Sequence, residues 1–158
     1  MVYQRILTAL DFSPGSETVF NQAVEIAQQN QATLMLLHCI SSDSYLPYRP
    51  HDTFDVNPWA SYSSMLTSSL EKEKELTIQK LSDYAQKAQN KGVQVEWQWE
   101  FGEAGIWIRK MSETWQADLI VLGRRGLSGL EQMLLGSVSN YVVQRVACSV
   151  ILVPLKKS

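Results

Sequence analysis

Four short apolar segments recur along the chain, separated by stretches of mixed polarity. They lie at residues 5–10, 33–40, 119–122 and 149–153. Nearly continuous apolar character is typical of strands in a parallel sheet that is covered on both faces. Residues 93–101 differ, because apolar residues occupy every odd position and polar residues occupy every even one. This period of two predicts a fifth strand, at an edge of the sheet.

Helical patterns lie between these segments. Ser13 and Pro14 are predicted to be the N-cap and the first residue of a helix that follows the first strand. Further helices are predicted from about residue 65 to 90, around residues 104–115 and around residues 138–146. Strands that alternate with helices predict an α/β fold, with a parallel sheet and right-handed crossovers.

Residues 41–64 break this alternation with three prolines and several Tyr and Ser. We interpret them as a long flexible loop near the ligand edge of the sheet, since a loop of this length in a compact domain is usually functional or disordered. His51, Asp52 and Asp55 within it either bind a metal or are solvated loop side chains, and the second interpretation is favoured. Trp59 is the tryptophan best placed to cover a ligand.

The composition excludes several classes of protein. A chain of 158 residues with a formal net charge of −2 suits one domain, residues 1–158, without a broad basic surface for nucleic acid. No apolar run approaches the roughly 18 residues of a membrane span, and the N-terminus lacks a secretion signal. Cys39 and Cys148 form no disulfide framework or CxxC zinc motif. We expect a cytoplasmic protein that binds neither nucleic acid nor membranes.

The small net charge conceals an asymmetry between the two ends of the chain. Residues 1–70 carry Arg5 and Arg49 against six acids, whereas residues 109–158 carry seven bases against three acids. Two interpretations stay open: chance clustering on a solvated surface, or a C-terminal third that faces an anion.

Glycines after the fourth strand carry the strongest chemical signal. Gly123 and Gly126 flank two arginines, and Gly136-Ser137 opens a predicted helix. Ligands bind beyond the carboxyl ends of strands in an open parallel sheet. Glycines allow close backbone approach, and the first N–H groups of a helix favour an anion. The segment therefore predicts a phosphate-binding site, although its spacing matches neither the P-loop nor the dinucleotide fingerprint.

The spacing Gly123-x2-Gly126-x9-Gly136-Ser137 resembles the nucleotide-binding motif of the universal stress protein family, in its ATP-binding branch. Similar segments occur in order along the chain, including Asp11-Phe12-Ser13, His38-Cys39-Ile40 and residues 148–154. The resemblance implies a doubly wound five-stranded parallel sheet in the order 3-2-1-4-5, with helices on both faces. It also implies a homodimer in which the last strand, residues 149–153, pairs with its counterpart.

The resemblance further implies binding of ATP or another adenine nucleotide. It places Asp11 beside the ribose and adenine, the backbone of Cys39 against adenine, and Gly123 near the ribose. The residues implied on the nucleoside side are Ala9, Leu10, Asp11, Cys39, Leu122 and Gly123. Those implied around the phosphates are Arg125, Gly126, Gly136, Ser137, Val138 and Ser139. A Mg²⁺ ion would bridge the phosphates and be held mainly by them.

No nucleophile, base and orienting group assemble in the sequence. His38 lies in a predicted buried strand and is interpreted as a hydrogen-bonded structural histidine. Arg124 replaces a residue that is small in many members of the family, and we expect it to face solvent. We therefore predict an ATP-binding stress-response or signalling switch, with at most slow ATP hydrolysis. A weak ATPase and a regulator that binds AMP or a cyclic nucleotide remain the alternatives.

Overall fold

Strands and helices alternate throughout residues 2–41, 58–125 and 135–155, the parts of the chain that the computed structural model describes. The strands are β1 (Arg5–Ala9), β2 (Thr33–Ile40), β3 (Gln94–Phe101), β4 (Leu119–Arg125) and β5 (Ser149–Leu155). The helices are α1 (Ser16–Asn30), α2 (Pro58–Asn90), α3 (Ala104–Thr114) and α4 (Ser137–Arg145). None of these helices is both long and apolar enough to cross a membrane.

The strands form one parallel sheet in the order β3-β2-β1-β4-β5, which confirms the expected fold class and strand order. β1 is the central strand, and its Thr8 lies opposite Leu36 of β2 on one side and Val121 of β4 on the other. The alternating segment forms β3, which pairs with β2 alone among the described strands. It is therefore an edge strand, as its period of two predicts.

Each face of the sheet carries its own apolar cluster. Ile6 packs into the cluster beneath α1 and α2, together with Phe20 and Leu81. The next residue, Leu7, points to the opposite face, into the cluster beneath α3 and α4 that contains Ile108. Full burial of one such side chain stabilises the fold by about 1.5–3 kcal/mol. The buried strands are apolar at successive positions because both faces are covered.

The first helix begins later than the sequence predicts. Its N-cap is Gly15, and Ser13 and Pro14 belong to a turn that precedes it. The turn is closed by the Ser16 N–H, which donates to the Ser13 carbonyl at 3.0 Å. Local propensity at Ser13-Pro14 is overridden because this turn brings the Ser13 N–H and the Ser16 hydroxyl to the Asp11 carboxylate.

The long helix α2 begins at Pro58, earlier than the predicted start near residue 65. Proline is favoured in the first turn of a helix because its missing N–H needs no partner there. The last seven residues of the predicted 41–64 loop are therefore helical, Trp59 among them. Residues 42–57, with His51, Asp52 and Asp55, lie outside the described residues.

Asp118 ties the start of β4 to the start of β1. Its two carboxylate oxygens accept hydrogen bonds from the backbone N–H groups of Gln4 at 2.8 Å and Arg5 at 3.1 Å. Its own backbone N–H donates to the Arg5 carbonyl, and its carbonyl accepts from Ser149 at the start of β5. Asp118 therefore orients the amino ends of these strands, remote from the ligand edge of the sheet.

Asp118→Ala should lower the free energy of unfolding by about 1–2 kcal/mol, because it leaves two backbone donors without their carboxylate acceptor. Urea titration followed by circular dichroism measures this loss. Asp83→Ala, at an exposed position of α2, is the matched control and should change stability by less than about 0.5 kcal/mol. Equal effects of the two substitutions would contradict the role given to Asp118.

Candidate functional site

A cavity of about 420 Å³ opens at the carboxyl ends of β1, β2 and β4. The sheet order reverses between β1 and β4, and this is where ligands bind in doubly wound folds. Ten of the twelve site residues predicted from the sequence line the cavity: Ala9, Leu10, Asp11, Cys39, Leu122, Gly123, Gly136, Ser137, Val138 and Ser139. Of the other two, Arg125 is the last residue of β4 and pairs with Leu155 of β5. Gly126 lies outside the described residues.

Eight further residues, which the sequence did not predict, line the same cavity. They are Ser13, Gly15, Ser16, Val19, Leu37, Ala104, Ile108 and Leu155. Ser13, Gly15, Ser16 and Val19 follow shortly after Asp11 in the chain. Their proximity to the site could therefore have been predicted from their position after the first strand. Ala104 and Ile108 reach the cavity because α3 packs across the sheet between β3 and β4, which only the tertiary structure shows. Leu155 lies beyond the predicted end of the last strand.

Asp11 is held at the cavity rim by the turn that follows β1. Its Oδ1 atom accepts hydrogen bonds from the Ser13 N–H at 2.9 Å and from the Ser16 hydroxyl at 3.0 Å. This is an Asx turn, and its central residue, Phe12, has a φ of 59°. A left-handed conformation costs a residue with a Cβ about 1–2 kcal/mol, so surrounding contacts must offset it. The turn fixes a carboxylate where the cavity meets solvent.

Gly123 and Gly136 differ in the structural reason for having no side chain. A Cβ at Gly123 would lie 2.9 Å from Val19 Cγ2 and 3.0 Å from Leu155 Cδ1, so close packing of α1 and β5 alone requires glycine there. A Cβ at Gly136 would meet no atom of the described residues within 4 Å, and the φ of Gly136 is −59°, which any residue adopts. Neither backbone strain nor packing against the described residues explains Gly136, which lines the cavity.

The first turn of α4 supplies the polar wall of the cavity. Its N-cap is Gly136, which has no side chain that could accept a hydrogen bond from the first N–H groups of the helix. Ser137 and Val138 are exposed and Ser139 is buried, and all three line the cavity. Uncapped N–H groups and the helix dipole favour a negatively charged group at this position.

The two residues at the end of β2 have different environments. His38 is 8% exposed, and its Nδ1 lies 2.6 Å from the Leu10 carbonyl oxygen. Burial lowers the pKa of His38, so the imidazole is neutral near pH 7. Burial, with a smaller contribution from Glu100, raises the pKa of Cys39 to about 12. The Cys39 thiol is therefore protonated and unreactive.

Charged groups are few around the cavity. Asp11 is the one ionisable carboxylate among the described lining residues, and Arg124 is half-buried in β4 without lining the cavity. Across the described ranges no group of three His, Cys, Asp or Glu side chains is arranged to hold a metal ion. The arrangement provides a polar helix terminus, an apolar floor and one carboxylate, which suits ligand binding better than acid–base catalysis.

Comparison with known proteins identifies the family. The universal stress protein family matches residues 2–154. Universal stress protein Sll1388 of Synechocystis is 40% identical over 153 residues, which cover 97% of this chain and 99% of that protein. The solved structure of hypothetical protein MJ0577 covers 100% of both chains with a TM-score of 0.77 and 23% identity.

Two further solved structures of similar fold contain nucleotides. A universal stress protein in complex with cAMP aligns with a TM-score of 0.65 and 21% identity, covering 98% of both chains. The universal stress protein from Archaeoglobus fulgidus in complex with dAMP aligns with a TM-score of 0.59 and 20% identity, covering 96% of this chain and 98% of that one. At these identities the likeness shows the fold, whereas the sequence match along nearly the whole chain shows the family. The chain belongs to the universal stress protein family.

Proposed function

We propose that the protein binds ATP in this cavity and acts as a stress-response or signalling switch in the cytoplasm. The observation that carries the proposal is the convergence of Asp11, Gly123 and the uncapped N-terminus of α4 on one cavity at the switch point of the sheet. A cavity of about 420 Å³ lies within the range of small-molecule sites. The nucleotides in two structural neighbours, cAMP and dAMP, support an adenine nucleotide as the ligand class.

The order of the strands supports a particular orientation of the nucleotide. Cys39 on β2 and Gly123 on β4 are separated by the central strand β1, which corresponds to about 10 Å across the sheet. The wall on the β2 side is apolar, with Leu37 and Ile108, and suits the flat face of a base. We place the adenine there, with Asp11 beside the ribose.

The phosphates then face the first turn of α4. The open space in front of Gly136 allows a phosphate oxygen to approach the backbone, and the hydroxyls of Ser137 and Ser139 lie on the same wall. Backbone N–H groups at a helix N-terminus bind phosphate without a basic side chain. We propose that Arg125 and Gly126 complete this side of the site.

A Mg²⁺ ion fits this arrangement when the phosphates supply most of its ligands. Asp11 is the one carboxylate among the described lining residues, and its Oδ1 is already engaged in the turn. Magnesium commonly keeps several waters and binds substrate phosphates with one or two carboxylates. Asp11 and the hydroxyls of α4 are the groups of this chain that would orient such a complex.

Isothermal titration calorimetry with ATP, AMP and cyclic AMP tests the proposal. We expect ATP to bind with a Kd below roughly 100 µM, with AMP and cyclic AMP weaker because they present fewer phosphate oxygens to α4. Stronger binding of cyclic AMP than of ATP would instead assign a cyclic-nucleotide regulator. The absence of binding by all three nucleotides at high micromolar protein would overturn the proposal.

Gly136→Val should weaken ATP binding at least tenfold, because its branched side chain would occupy the space proposed for the phosphates. The fold should tolerate the change, since a Cβ at Gly136 meets none of the described residues within 4 Å. The matched control is Glu103→Val, which places the same side chain at the N-cap of α3, outside the cavity lining. Melting temperatures of both variants report folding, and an unchanged ATP affinity in Gly136→Val would remove this glycine from the site.

We also propose a homodimer formed through β5, residues 149–155. The two edges of the described sheet differ, since β3 alternates apolar with polar residues whereas β5 is apolar throughout Val150, Ile151, Leu152 and Val153. Most of β5 is only half-buried within one chain. An open apolar edge strand favours pairing with a second sheet.

Multi-angle light scattering at micromolar concentration should give twice the chain mass of 17.9 kDa. Val150→Lys should raise the dimer dissociation constant at least tenfold, because a charged side chain on an edge strand opposes sheet-to-sheet pairing. Trp97→Lys, on the opposite edge strand β3, is the control and should leave the dimer intact. A monomeric wild-type protein would refute the proposed interface.

A further inference from the structure

The residues on either side of Asp11 both contact the imidazole of His38. The residue before it is Leu10, whose carbonyl oxygen lies 2.6 Å from His38 Nδ1. A carbonyl oxygen only accepts hydrogen bonds, so Nδ1 is the atom that carries the proton and donates it. His38 is buried at the end of β2, so this bond fixes the carbonyl where β1 passes into the turn.

The residue after Asp11 is fixed by the same imidazole. The Phe12 ring stacks on His38 with ring centroids 4.1 Å apart and an interplanar angle of 20°. The Tyr84 ring of α2 lies nearly parallel to the Phe12 ring, with an interplanar angle of 6° and ring centroids 6.3 Å apart. Lys80 Nζ, also on α2, lies 5.0 Å from the centroid of the Phe12 ring. These contacts hold Phe12 at a φ of 59°, a left-handed conformation that its side chain disfavours.

The left-handed conformation of Phe12 determines how the Asp11 carboxylate is held. The left-handed Phe12 turns the chain so that the Ser13 N–H reaches Asp11 Oδ1, and Ser16 donates to the same oxygen. Strained backbone persists only where the surroundings determine it, and it clusters at functional sites. Phe12 and His38 do not line the cavity, yet both act on the residue at its rim.

We infer that His38 and Phe12 are positioning residues that orient the Asp11 carboxylate for the ligand, His38 by anchoring Leu10 and Phe12 by locking the turn. The consequence for affinity rests on the proposed nucleotide site, whereas the orientation of Asp11 does not. Since Lys80 and Tyr84 belong to α2, the stack also makes the orientation of Asp11 sensitive to the position of that helix.

A double-mutant cycle on ATP affinity distinguishes positioning from a general structural role. The single variants are Asp11→Ala and His38→Phe, the second of which keeps an aromatic ring for stacking but loses the Nδ1 donor. We expect Asp11→Ala to weaken binding at least tenfold and His38→Phe about fivefold. Because His38 acts through Asp11, the double variant should bind within twofold of Asp11→Ala alone. Losses that multiply in the double variant would overturn the inference.

Substitutions at Phe12 provide the matched pair. Phe12→Tyr keeps the stacked ring and should bind ATP within twofold of the wild type. Phe12→Leu removes the ring and should weaken ATP binding about fivefold. Its melting temperature should stay within a few degrees of the wild-type value. Equal affinities of the two variants would show that the stack does not position Asp11.

Amide hydrogen exchange tests the orientation of Asp11 without any nucleotide. The exchange rate of the Ser13 N–H reports its bond to Asp11 Oδ1, and Asp11→Ala sets the rate expected when that bond is lost. His38→Phe and Phe12→Leu should raise this rate severalfold toward the Asp11→Ala value. The Val19 N–H, which bonds to the Gly15 carbonyl in α1, should be unaffected.

The two measurements separate the possible failures. If the wild type binds no nucleotide, the proposed function fails, while faster Ser13 exchange in the variants still supports the positioning role. If nucleotide binds and Ser13 exchange stays at the wild-type rate in folded His38→Phe, the positioning role is wrong and the proposed function stands.

Discussion

Burial of β1 on both faces is the constraint on which the rest of this structure depends. Ile6 and Leu7 are fully buried and point to opposite apolar clusters, so helices must cover both sides of the sheet. Because β1 pairs with β2 on one side and with β4 on the other, the carboxyl ends of β1 and β4 become neighbours. The cavity exists because the chain continues to opposite faces from these two ends.

The polar groups at this edge follow from backbone geometry more than from charge. Asp11 is fixed by a turn that includes a left-handed Phe12, and α4 presents an N-terminus whose N-cap glycine makes no side-chain bond. No Lys or Arg stands among the described residues that line the cavity. An anion here is favoured by oriented N–H groups, which act at short range and need no net charge.

The glycine motif illustrates how one sequence signal covers two physical causes. Gly123 is required by the packing of Val19 and Leu155, so its presence is explained without any ligand. Gly136 has an ordinary φ and no described neighbour within 4 Å of a Cβ, so packing of the described residues does not explain its presence. Sequence spacing treats both residues alike, and only the neighbouring atoms separate a packing glycine from one that leaves room for a ligand.

Local periodicity in the sequence was sufficient to predict the strands and the edge character of β3. The family, and with it ten residues that line the cavity, followed from the resemblance of the sequence motifs to those of the universal stress proteins. The sequence pattern misplaced the starts of α1 and α2, where a turn around Asp11 and an early proline decide the boundary. Packing across the sheet is what brings Ile108 and Leu155 to the cavity and His38 into contact with both neighbours of Asp11. Those contacts join residues distant in the chain, and no local pattern encodes a distance across the sheet.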